Sequence, residues 1–164
     1  MHTIVVAGRT APNRAVRFGG ENDDLDARGR RDAGALRSGL PAEACVVAGP
    51  EASVRQTAGL LGRPFDVDPA LLSLDVGRWF GRGPESVDQD ELAAWFGHPE
   101  GAPHGGEAVA DFVARVRAAL AAHDDGCILV VASPVAQAML CASAEEFFGV
   151  RVHPGSMVRV PEPS

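Results

Sequence analysis

The chain has 164 residues and a formal charge of −7 at pH 7, a balance that disfavours nucleic acid or an anionic membrane surface as a partner. With 46% hydrophobic and 23% charged residues it is not a disordered chain, and no apolar run approaches the roughly 18 residues of a membrane span. A single domain of this length buries about 70% of its unfolded surface, enough for one core.

Ile4-Val5-Val6-Ala7-Gly8 opens the chain as a short buried strand that ends in a glycine turn. A continuous β-branched run of this kind is typical of a parallel strand, and ligands bind just past the carboxyl ends of such strands. A loop rich in Gly, Asn and Asp follows to about Asp24, and then a helix from Asp26 to Leu36 with Asp24 or Asp26 as its cap. Ala44–Ala48 is a second strand, Ser53–Leu61 a helix closed by Gly62, and Phe65–Asp68 a short strand or extended link.

The stretch from Leu71 to Pro103 holds Trp79, Trp95 and Gly/Pro punctuation. It is read as a variable excursion of residues 71–103 on a single domain spanning 1–164, with a helix over Val87–Phe96. The helix from Gly106 to His123 buries Val109, Phe112, Val113, Val116 and Leu120 on one face. Cys127–Ala132 is a buried strand, Pro134–Ala144 a helix, and Ser156–Val160 a last strand. Strands alternating with helices imply an α/β fold on a mainly parallel sheet.

Three cysteines, Cys45, Cys127 and Cys141, stand singly without CxxC spacing. They are expected to be reduced, buried thiols in a cytoplasmic protein. The first residues lack a charged segment followed by a long apolar one, so no signal peptide is expected. All basic residues are Arg and Tyr is absent, which, with the abundance of Ala, Gly and Val, fits the coding bias of a GC-rich genome.

Seven segments in order resemble the histidine phosphatase (phosphoglycerate mutase-like) superfamily. Ile4–Thr10 matches its L-V-R-H-G-E-T strand, Leu25–Ala33 its L-T-x-x-G helix start, and Gly49–Ala58 its S-x-x-x-R-A-x-Q-T-A segment. Leu71–Gly81 matches L-x-E-x-D-F-G-x-W-E-G, and Pro103–Ala108 matches P-x-G-G-E-S. Val130–Pro134 matches V-V-S-H-G, and Pro154–Ser156 the closing P-G-S. The resemblance implies a three-layer α/β/α sandwich on a mainly parallel sheet.

It also implies a site, and this sequence departs from it at every catalytic position. In that family a histidine attacks the phosphoryl group, two arginines and a second histidine hold its oxygens, and a carboxylic acid protonates the leaving group. Here the nucleophile position is Ala7 and the arginine before it Val6. The second arginine is Ser53, the acid Ser73, and the second histidine Ser133, or Ala132 or Pro134 with a one-residue gap. The remaining candidates for ligand binding or acid/base work are Arg9, Asn13, His104 and Glu107. Glu107 also suits a role in tying down the following helix. Arg55 is expected to face away, and His98, His123 and His153 to be solvent-side.

The replacements are small and neutral, which implies a roomier, less polar pocket suited to a neutral or weakly acidic small molecule. Three readings follow: a binding module, an enzyme of different chemistry (proton transfer, cyclisation, dehydration or isomerisation), or an interaction scaffold. No cofactor and no metal are expected, nor a nucleic-acid or membrane partner. The oligomeric state is left open, a homodimer included.

Overall fold

Strand β1 (His2–Val6) is buried at every position and occupies the interior of a five-stranded sheet. The computed structural model describes residues 1–10 and 17–161, so Asn13 lies outside the described residues. The other strands are β2 (Val46–Ala48), β3 (Asp66–Val67), β4 (Ile128–Val131) and β5 (Met157–Val160). Their order is β3-β2-β4-β1-β5, with β5 alone antiparallel to its neighbour. β4 is as fully buried as β1, as expected of central strands covered by helices on both faces.

Helix α1 (Ala27–Ala35) starts where the Asp26 side chain accepts from the Gly29 N–H at 2.6 Å. α2 (Ala52–Gly59) packs beside α1 and against β2 and β4. α3 (Gln89–Gly97) is capped by Asp88, which accepts from the Glu91 N–H at 2.9 Å. α4 (Val109–Ala122) and α5 (Ser133–Leu140) pack on each other. The α4 face expected from spacing is the one that is buried.

Two helices are shorter than their patterns suggest. α4 begins at Val109 rather than Gly106 because the amides before it are engaged elsewhere. Gly106 N–H donates to His104 Nδ1 at 2.9 Å, and Glu107 N–H to the Asp75 carbonyl at 2.8 Å. α5 ends at Leu140, and Ala144–Gly149 forms a separate 3-10 turn.

The expectation for two of the cysteines is corrected. Cys45 and Cys127 form a disulfide, with Cα atoms 4.7 Å apart. Cys45 is exposed and Cys127 half-buried. They immediately precede β2 and β4, neighbouring parallel strands, and the Ile128 N–H donates to the Cys45 carbonyl at 2.7 Å. That register puts two residues 82 positions apart side by side, which spacing along the chain does not reveal. The pairing removes the thiol argument for a reducing compartment. Cys141 is the buried free thiol.

Candidate active site at the strand ends

The ends of β1 and β4 and the starts of α2 and α5 meet around a hollow of about 140 Å³ that includes Ala7, Ser53 and Ser133 in its lining. Arg9 and Glu21 stand in the same wall. Val6, the remaining position on β1, is fully buried and belongs to the core. The turn after β1 is held by residues of the α2 segment. Gly8 N–H donates to Thr57 Oγ1 at 3.0 Å, Thr57 donates to the Ser53 carbonyl at 2.8 Å, and Gln56 Oε1 accepts from Leu25 N–H at 2.9 Å. Gly8 and Gly29 pass so closely that a Cβ on Gly8 would lie 2.8 Å from the Gly29 carbonyl oxygen. Ser53 itself donates to the Glu21 carbonyl at 2.6 Å.

A second hollow of about 260 Å³ adjoins the first at Glu21 and includes Glu51, Ser73 and Asp75 in its wall. Glu51 is only 2% exposed although it stands at the start of α2. Its Oε2 accepts from the Ser73 N–H at 2.8 Å. Its Oε1 and the Ser73 hydroxyl are buried without a hydrogen-bond partner. Burial pushes the Glu51 carboxyl above the usual range; the Ser73 amide and Glu51's own amide oppose this, the Glu21 carboxylate adds to it, and Arg115 opposes it.

Stability bound up with a neutral Glu51 is present below the ordinary carboxylate pKa of about 4.3 and is lost as pH rises through the raised native value. Glu51→Gln, neutral at every pH, is therefore expected to match the parent in acid and to exceed it in stability at mildly alkaline pH. Urea unfolding at a series of pH values checks this, and parallel profiles for the two proteins would refute it.

The other candidates are dispersed. Arg9 is 44% exposed and pairs with Asp26 at 3.5 Å. His104 is 1% exposed and packs edge-on against Trp79 and Trp95, with ring centroids 5.0 and 5.6 Å away. Its burial lowers its pKa, Asp75 opposes that shift and Arg78 reinforces it. Glu107 makes a two-point ion pair with Arg115, both contacts at 3.0 Å. Arg115 also donates to the Ala70 carbonyl at 3.0 Å and so braces the stretch that carries Ser73. Arg55, His98 and His153 are exposed, whereas His123 is half-buried and bonds Asp68 at 2.6 Å. Among the described residues no group of three or more His, Cys, Asp or Glu is placed to hold a metal ion.

The family model for the histidine phosphatase superfamily, branch 1, matches residues 3–159. The chain belongs to that superfamily. The Thermus thermophilus protein TTHB049 is similar at 28% identity and a TM-score of 0.82, over 98% of this chain and 92% of that one. A phosphoglycerate mutase from Thermus thermophilus is similar at 26% identity and a TM-score of 0.76, over 94% and 89%. A mycobacterial glucosyl-3-phosphoglycerate phosphatase shares the fold at 24% identity and a TM-score of 0.78, over 95% and 87%. No curated protein sequence matches the chain.

Within this histidine phosphatase fold, several motif residues serve the scaffold while others reach the two hollows. Thr57, Gln56, Gly8 and Glu107 bond or abut backbone and scaffold. Ala7, Ser53, Ser73 and Ser133 face the two hollows. Glu51 escaped the sequence reading because a Glu at a helix start is ordinarily a solvated charge that favours the helix dipole. The signal available was its place two residues before Ser53, inside a segment already matched to the site.

Proposed function

We propose that this member of the superfamily is neither a phosphatase nor a mutase, and that its pocket binds a neutral or weakly acidic small molecule. The observation that carries the reading is Ala7 in the wall of the strand-end hollow, because a methyl group has no lone pair with which to attack phosphorus. The electrostatics point the same way. Among the described residues Arg9 is the one cation lining that hollow, and Asp26 already engages it. Glu21 lines the same hollow. Each missing charge-assisted contact removes about 1.5–3 kcal/mol that a phosphate ester would need.

A second reading, an enzyme of non-phosphoryl chemistry such as proton transfer, draws support from Glu51, a buried carboxyl in the adjoining wall. The test is hydrolysis of a phosphomonoester panel from acid to alkaline pH, beside chemical trapping of a phosphoenzyme. No turnover and no label are expected, and Ala7→His alone is not expected to restore them, since the oxygen-binding positions stay unfilled. Robust turnover by the parent protein would overturn the proposal. Identification of small molecules that co-purify, with or without their conversion, then separates binding from catalysis.

A further inference from the structure

A buried carboxyl has taken up a position beside the residue where the superfamily keeps its acid. Ser73 leaves space where a longer acidic side chain would reach from the 71–74 stretch. Glu51 arrives from the start of α2 and bonds the Ser73 amide at 2.8 Å. Gly49 makes this possible: a Cβ there would lie 2.9 Å from Glu51 Oε1. The result is two polar atoms, Glu51 Oε1 and Ser73 Oγ, both buried and both without a partner, on residues lining one hollow. Leaving such groups unpaired is costly, of order 1–3 kcal/mol each, unless a ligand completes them.

We infer that Glu51 and Ser73 form the polar end of the pocket, and that its ligand is an uncharged molecule presenting a carbonyl or hydroxyl oxygen to the Glu51 carboxyl. This rests on the small-molecule reading proposed above and names the chemistry of its ligand. With Oε2 occupied by the Ser73 amide, the proton of a neutral Glu51 lies on Oε1 and can be donated to that oxygen. The Ser73 hydroxyl, on a residue of the same wall, supplies a second donor or acceptor. The charges around the pair are Glu21 and Asp75 in the hollow wall and Arg115 beyond Ser73. Glu21 favours an uncharged Glu51 and Arg115 opposes it, while the two acids in the wall disfavour an anionic ligand. An apolar body is accommodated next door, where a hollow of about 140 Å³ is walled by Phe18, Trp95, Phe147 and Phe148 and reaches the same Glu21.

The experiment uses acetamide as a neutral carbonyl probe, with acetate and inorganic phosphate as anionic ones. Binding is followed by amide proton–nitrogen NMR of the full chain over a pH series. Acetamide is expected to shift the Ser73 and Leu74 amide signals, and its affinity to fall about tenfold for each pH unit above the Glu51 titration. Glu51→Gln preserves an oxygen for the Ser73 amide and a donor for the ligand, so its binding is expected to persist without pH dependence. Ser73→Ala keeps the amide and is expected to weaken binding severalfold.

Acetamide binding that ignores pH, or that Glu51→Gln abolishes while the variant's spectrum stays that of the folded parent, would overturn the inference and leave the small-molecule reading standing. So would the absence of any acetamide shift at these residues. Phosphate binding in the Ala7 hollow, by contrast, would remove the small-molecule reading and this inference together.

Discussion

Reduction of the Cys45–Cys127 disulfide is expected to lower the stability of the fold by about 4.5 kcal/mol, the chain-entropy value for a link across 82 residues. For a protein of this size that corresponds to a fall of about 10 °C or more in Tm. The link joins the residues that lead into β2 and β4, so its loss acts on how the two strands find one another rather than on the pocket at their other ends. Thermal unfolding with and without a reductant, and of the Cys45→Ala/Cys127→Ala double variant, checks this. The double variant should be insensitive to reductant and should match the reduced parent. A parent protein whose Tm ignores reductant would mean that the two thiols are unpaired in solution.

Trp79→Ala is expected to cost about 3–5 kcal/mol, the range for deleting a fully buried large aromatic side chain. Trp79 is 1% exposed and touches Phe18, Trp95 and His104, with ring centroids 5.3, 5.4 and 5.0 Å away. Those partners come from three separate stretches, so the indole ties its own turn to Phe18, to α3 and to the His104 loop. Two backbone bonds reinforce the junction: Phe18 N–H to the Arg82 carbonyl and Gly81 N–H to the Phe18 carbonyl, both 2.9 Å. Because the 72–76 stretch walls the Glu51 hollow, the variant is expected to lose acetamide binding along with stability. Urea unfolding gives the first effect and the NMR titration, on whatever folded fraction persists, the second. Trp79→Phe, which keeps an aromatic ring in place, should recover most of both. A Trp79→Ala protein as stable as the parent would refute the expected cost.

His104 illustrates how a sequence can place a residue correctly and leave its surroundings open. Its position in the Pro103–Ala108 segment was legible from the motif, and a histidine in a loop beside a site invites an acid/base role. The two tryptophans that enclose it come from positions 79 and 95, and nothing in the local spacing says that these rings converge. Glu107 is similar. Its motif match was plain, but its partner Arg115 lies eight residues on, after a loop whose geometry decides whether the two side chains meet.

By itself the sequence determined most of the elements and the family. Strand and helix follow from short-range periodicity, as in β1 and in the buried face of α4. The motif segments also supply the ground on which Ala7 is proposed to stand at the nucleophile position, a reading of one residue type at one position. Only the tertiary structure decided the Cys45–Cys127 pairing, the enclosure of His104 and the burial of Glu51 against Ser73. Each depends on side chains that are distant along the chain and close in space. The energies involved, those of desolvation, ring packing and covalent cross-linking, are set by neighbours that no local pattern names.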